Sequence, residues 1–167
     1  MIFESERLYL SEFTTKDAPF FYQLVNDPDW IKHIGNRKIG TILDAEKYLT
    51  DKIIPSYKQF GFGFYIVQLK DNNTPAGMCG LIKREWMDYV DIGYAFLATF
   101  RGKGYALESS IATKNYAKEH LNISKLAAIT DVHNDRSTNL LEKLGFEYQR
   151  LISYPGEDHK CKLYLEV

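Results

Sequence analysis

Arg101-Gly102-Lys103-Gly104-Tyr105-Ala106 is the run with the clearest chemistry in the chain. It follows a strand-like segment, Tyr89 to Leu97, and opens a helix-like segment that ends near His120. Small residues at Gly102, Gly104 and Ala106 let the backbone come close to a ligand. A helix that starts there turns its unpaired N–H groups outward, at the positive end of its dipole. That arrangement binds anions, most often phosphate. A Walker P-loop is excluded, because no Ser or Thr follows Lys103 and the glycine spacing is too short. The dinucleotide fingerprint fits poorly, because Leu107 occupies its third small position. What remains is Arg-x-x-Gly-x-Ala with Gly102 and Lys103 added, which suits a pyrophosphate held by backbone amides and one or two cations. A strand-to-helix turn with small residues for packing alone fits the same run.

The elements that must position this loop follow from periodicity. Arg7 to Phe13 alternates and predicts a strand. Thr14 or Thr15 caps a helix carrying Ala18, Phe21 and Val25, which Asp27-Pro28 ends. Trp30 to Gly40 reads as irregular. Thr41 opens a second helix with Ile42, Ala45, Leu49 and Ile53 on its apolar face, and Pro55 kinks or ends it. Phe62 to Lys70, Ala76 to Lys83 and Asp88 to Leu97 predict three consecutive antiparallel strands, with turn chemistry at Asp71-Asn72-Asn73-Thr74-Pro75. The helix from Gly102 to His120 is expected to bury Leu107, Ile111, Ala117 and Leu121. Lys125 to Asp131 is a strand. Asn134 caps a short helix with Leu140, Leu141 and Leu144 inward and Gly145 at its left-handed end. Two strands close the chain, Phe146 to Ser153 and His159 to Val167. The expectation is one α/β domain over residues 1–167, a mixed and mostly antiparallel sheet of about seven strands flanked by about four helices.

Composition narrows the class. The chain has 167 residues, net charge −1 and no basic block, so the signature of a nucleic-acid binder is missing. No apolar run approaches the roughly 20 residues that cross a bilayer, and no membrane partner is expected. Cys79 and Cys161 have no metal-site or disulfide spacing. No metal is expected, and a reducing, cytoplasmic setting is the default.

The glycine run after Asp91-Ile92-Gly93-Tyr94 resembles the acyl-CoA motif of the GNAT superfamily of N-acetyltransferases. A second motif supports the likeness: Asn134-x-x-Ser137, then Leu141-Glu142-Lys143-Leu144-Gly145-Phe146. Glu6-Arg7-Leu8-Tyr9-Leu10, Asp17-Ala18 and Asp27-Pro28 resemble the RimJ/RimL-type branch. The likeness spans about residues 5–150 and includes the order of the elements. It implies acetyl-CoA as cofactor and a central strand pair that splays, the strand before the loop carrying a bulge. It places the pyrophosphate on Arg101, Gly102, Lys103, Gly104, Tyr105 and Ala106. Pantetheine would pair near Tyr94, Ala95 and Phe96, and Asn134 and Ser137 would contact the cofactor arm.

Direct acetyl transfer to an amine needs a neutral nucleophile, a donor for the oxyanion and a proton for the departing thiolate. Asp91, where many members of the superfamily have Glu, is the first candidate base, acting through a water, and Glu85 is a weaker one. Ser137 is the candidate acid. The Tyr that many members carry before the Glu-Lys-x-Gly-Phe run is Leu141 here. The acceptor groove is expected between Trp30–Gly40, Trp86-Met87 and Tyr154–Asp158, with Trp30, His33, Trp86 and Tyr154 along it. The resemblance implies transfer to a protein N-terminal α-amino group. Alternatives are a small amine (polyamine or antibiotic-like) as acceptor, and a non-catalytic acyl-CoA sensor. A monomer or a homodimer is expected.

Overall fold

The computed structural model describes all of residues 1–167. The strands are β1 Phe3–Glu4, β2 Leu8–Glu12, β3 Phe64–Leu69, β4 Pro75–Ile82, β5 Val90–Phe96, β6 Leu126–Asp131, β7 Phe146–Ser153 and β8 Lys160–Glu166. The α-helices are α1 Ala18–Val25, α2 Pro28–His33, α3 Ile42–Tyr48, α4 Ile54–Phe60, α5 Tyr105–His120 and α6 Asp135–Lys143. The strands form one eight-stranded sheet in the order β1-β2-β3-β4-β5-β6-β8-β7. The strand beyond the expected set is β1, only two residues long.

Every neighbouring pair is antiparallel except β5 and β6. That parallel pair meets only at Val90↔Leu126 and Asp91↔Ala127, and then the two strands diverge. The expected splay is therefore present. The expected bulge is not: β4 and β5 keep one register from Gly77↔Phe96 to Ile82↔Asp91. Ile92 of β5, Ala128 of β6 and Leu141 of α6 belong to one apolar cluster, with Tyr94 packed against it.

Alternation along the strands sorts the core onto two faces. Ile66 of β3 packs with Phe13, Phe21, Leu24 and Leu49 beneath α1 to α4. Its neighbours Tyr65 and Val67 join Leu8, Leu10 and Phe96 on the α5 side. On α5 the buried positions are Ser109, Ser110, Thr113 and Ala117, whereas Ile111, expected inside, is 46% exposed. Small residues let this helix lie close to β4, and Thr113 Oγ1 reaches Cys79 Sγ at 3.3 Å.

Two helical readings are corrected. Trp30 to His33, expected to be irregular, is helical: Pro28 opens α2, whose first turn is capped by the Asp27 carboxylate accepting from the Asp29 N–H at 3.0 Å. Pro55 does not end the second helix. A π-helical segment, Leu49–Ile53, precedes α4, and Pro55 falls in the first turn after it, where its missing N–H is tolerated.

Candidate active site

The glycine loop is built for close approach. Gly102 (φ 74°) and Gly104 (φ 83°) both take left-handed backbone conformations, and Gly104 is the residue from which α5 starts. The first helical bond of α5 runs from the Glu108 N–H to the Gly104 carbonyl at 3.0 Å. The N–H groups of Gly102 through Leu107 have no acceptor within the protein. A Cβ at Gly102 would meet nothing within 4 Å, so open space lies before those donors. That space is a cleft of about 430 Å³ lined by Tyr94 to Phe96, the loop and the facing side of α6. The unpaired donors and the open cradle suit an anion such as a pyrophosphate.

The amino-terminal hairpin holds the loop from behind. Arg7 Nε donates to Glu108 Oε2 at 2.7 Å, and Arg7 Nη1 donates to the Lys103 carbonyl at 3.1 Å. Ser5 Oγ adds a bond to Glu108 Oε1 at 2.6 Å. Burial works against the Glu108 carboxylate, but the bonds from Ser5 and Arg7 outweigh it and hold its pKa below the usual range.

Arg101 is not a free cation. Its Nη2 donates to Asp27 Oδ1 at 2.6 Å, Nη1 to Asp29 Oδ2 at 2.7 Å and Nε to the Phe96 carbonyl at 3.0 Å. Asp29 also receives Arg136 Nη2 at 2.7 Å, and this bond is the main reason its pKa is lowered. Arg101 thus ties the loop to the start of α2, and Arg136 ties α2 to α6. Lys103 extends over the Phe100 ring, 5.8 Å from its centroid. Arg136 and Lys143 are further cations on the cleft wall.

At the inner end of the cleft, Tyr94 Oη lies 2.9 Å from Ser137 Oγ and 3.3 Å from the Ser137 carbonyl. Burial pushes the Tyr94 phenol up, and the bond to Ser137 opposes it only in part. Asn134 caps α6, its Oδ1 accepting from the Ser137 N–H at 3.2 Å.

A second cleft of about 190 Å³ lies behind this point. Asp91, on its wall, is 2% exposed and takes Arg84 Nε on Oδ2 at 2.9 Å, while its Oδ1 has no partner. Burial pushes this carboxyl up to about 6, although Arg84 pulls the other way. Arg84 also donates to Tyr154 Oη at 2.6 Å. Its guanidinium lies over the rings of Trp86 (5.8 Å) and Tyr154 (5.4 Å). Trp86 is 39% exposed and does not line either cleft. Trp30 and His33 line both, and Trp30 Nε1 is buried without a partner.

Asp27, Asp29, Arg84, Asp131, Arg136 and His159 did not stand out in the sequence. Their partners lie far along the chain, for example 70 residues between Arg84 and Tyr154. Asp27-Pro28 was visible as a helix boundary and in the family resemblance, with no sign of its link to Arg101.

Residues 7–147 match the family model described as an acetyltransferase (GNAT) domain. The chain is 26% identical over 172 residues to YjdG of Bacillus subtilis (strain 168), an uncharacterised N-acetyltransferase, covering 99% of this chain and 98% of that protein. Among solved structures it is similar to RimL, a ribosomal L7/L12 alpha-N-protein acetyltransferase in complex with coenzyme A. The TM-score is 0.83 and the identity 19%, over 99% of this chain and 97% of that one. It also resembles AAC(6')-Ib in complex with paromomycin and acetyl-CoA, at TM-score 0.78 and 20% identity, over 96% and 93% of the two chains. At these identities the structural likeness is one of fold.

Proposed function

The chain belongs to the GNAT acetyltransferase family, and from that premise we propose that it acetylates protein N-terminal α-amino groups, as a member of the RimJ/RimL-type branch. As an N-acetyltransferase of this family it uses acetyl-CoA, whose thioester supplies an activated acetyl group. The N–H groups of Gly102 to Leu107 would hold the pyrophosphate, with Lys103, Arg136 and Lys143 as the nearby cations. The splayed edge at Tyr94, Ala95 and Phe96 would hold the pantetheine arm, beside Asn134.

The observation that carries this reading is the meeting of two clefts at one hydrogen-bonded pair, Tyr94 and Ser137. The front cleft has the anion cradle. The rear cleft has a carboxylate, Asp91, with one unpaired oxygen that draws an ammonium inward. With Tyr94 donating to Ser137 Oγ, the serine hydroxyl is free to give its proton at the junction.

Two considerations favour an α-amino acceptor. At pH 7 about a tenth of α-amino groups are neutral, against about one lysine-type amine in a few thousand. The rear cleft, at about 190 Å³, has room for roughly six waters, the scale of one terminal residue rather than of an aminoglycoside. The test is thiol release from acetyl-CoA over a panel of peptide N-termini, polyamines and aminoglycosides. Peptides should give the highest kcat/KM. A polyamine or aminoglycoside leading by tenfold would overturn the acceptor, and tight coenzyme A binding with no release on any amine would make the protein a sensor.

A further inference from the structure

Six residues line both clefts: Trp30, His33, Ile34, Tyr94, Asn134 and Ser137. Acetyl transfer, if the proposed function holds, takes place where the clefts meet. Of these six, only His33 has a side chain that ordinarily changes charge between about pH 5 and 8. Asp91 lines the rear cleft alone and spends one oxygen on Arg84.

The setting of His33 is specific. Its Nδ1 is buried, has no hydrogen bond and lies 3.5 Å from Asp131 Oδ1. Asp131 is itself held: Oδ1 accepts from the His133 N–H at 2.8 Å, and Oδ2 lies 3.0 Å from His159 Nε2. The carboxylate is 7% exposed and cannot turn to water. A shift of about half an ångström would close the Nδ1–H bond to Asp131, the kind of tightening that accompanies substrate binding. That bond fixes the tautomer in which Nε2 carries the free lone pair.

We infer that His33 is the general base of the transfer and that Asp131 is its positioning residue. The neutral amine attacks the acetyl carbonyl carbon and an N–C bond forms. His33 Nε2 takes the proton that leaves the amine nitrogen. The C–S bond breaks with its electron pair going to sulfur, and Ser137 Oγ–H supplies the proton that makes the thiol. The serine recovers a proton from solvent at the mouth of the clefts, and the imidazolium returns its own to solvent, so the cycle closes. The charged groups sharing the clefts with His33 are Asp29 on its own helix and Asp27 at that helix's cap, Arg37 in the next loop, Asp131 on β6, Glu157 and His159 beyond β7, Arg84 and Asp91 at the back, and Arg101, Arg136 and Lys143 in front.

The experiment is the pH profile of kcat/KM for a peptide acceptor, from pH 5 to 9, for the wild type and for His33→Gln, Asp131→Asn and Asp91→Asn. Coenzyme A affinity and melting temperature are measured alongside. His33→Gln should lose about 10²- to 10⁴-fold in kcat, and the acid limb that the wild type shows, with coenzyme A affinity unchanged within twofold. Asp131→Asn should lower kcat more than it changes KM, because the ring loses the carboxylate that orients it. The ring nitrogen resonances of His33 should report a changed tautomer balance by NMR, a readout a merely structural aspartate would not move. Asp91→Asn should keep the limb. A His33→Gln enzyme within threefold of wild type, or one that keeps its acid limb, overturns the assignment and leaves acetylation standing. A wild type that binds coenzyme A but acetylates nothing overturns both.

Discussion

Tyr94 Oη and Ser137 Oγ, 2.9 Å apart, join the diverging strand β5 to the first turn of α6. Their link spans the opening that the sheet leaves between β5 and β6. The same pair closes the inner end of the front cleft and borders the rear one. Leu141, at the position where a tyrosine acid was absent from the sequence, is 1% exposed and packs in the core.

Ser137→Ala should therefore lower kcat by about 10²-fold while coenzyme A affinity stays within twofold. Tyr94→Phe should cost less, because the serine hydroxyl remains and water can replace the lost donor. Thiol-release kinetics and calorimetric titration with coenzyme A separate these effects. Equal loss of binding and turnover in Ser137→Ala would place the serine on the cofactor alone.

Gly104→Glu should abolish coenzyme A binding. It forces a side chain into φ 83° with Arg7 Nη2 only 3.3 Å from its Cβ, and it adds negative charge at the mouth of α5. Thermal shift with coenzyme A is the measurement, and a ligand-induced rise equal to wild type would remove the cradle assignment.

Arg101→Ala should act on stability first. It leaves the carboxylates of Asp27 and Asp29 without their shared partner, at a cost on the order of 1–3 kcal/mol. Melting temperature should fall by several degrees, and coenzyme A affinity should fall less than in Gly104→Glu. A large, salt-dependent affinity loss at unchanged melting temperature would instead mean that Arg101 turns to the phosphate.

Asp91 gives a pH signature of opposite sign to most acids. Its folded pKa, about 6, is above the unfolded value of 3.8, so the native state holds the proton more tightly between those pH values. The carboxyl therefore costs stability as pH rises from about 4 to 6, by up to about 3 kcal/mol on 1.36 kcal/mol per pKa unit. The melting temperature of Asp91→Asn minus that of wild type should climb across this window and then level off. A difference that falls with pH would mean Arg84 stabilises the carboxylate more than burial penalises it.

The glycine loop, the element order and the inward face of α6 were legible because each depends on local spacing. Ile111 was misplaced for the same reason. A hydrophobic period cannot report that the sheet admits only small residues at Ser109, Ser110 and Thr113. For Pro55 the spacing left a kink and a stop both open, because the widened turn at Leu49–Ile53 that precedes it leaves no compositional mark. Arg101 looked like a phosphate ligand because Asp27 and Asp29 lie more than 70 residues away.

By itself the sequence determined a mixed α/β domain with bare amide donors at the start of its longest helix, because backbone chemistry follows from glycine positions and periodicity alone. Only the tertiary structure decided which charges are spent on one another and which side chains meet between β5 and β6. Those outcomes depend on two strands separating after two paired positions, and the unbroken register of β4 and β5 shows that no local irregularity encodes the separation. Beside it, Ile92 of β5, Ala128 of β6 and Leu141 of α6 join one apolar cluster, contacts that exist only once the chain has folded.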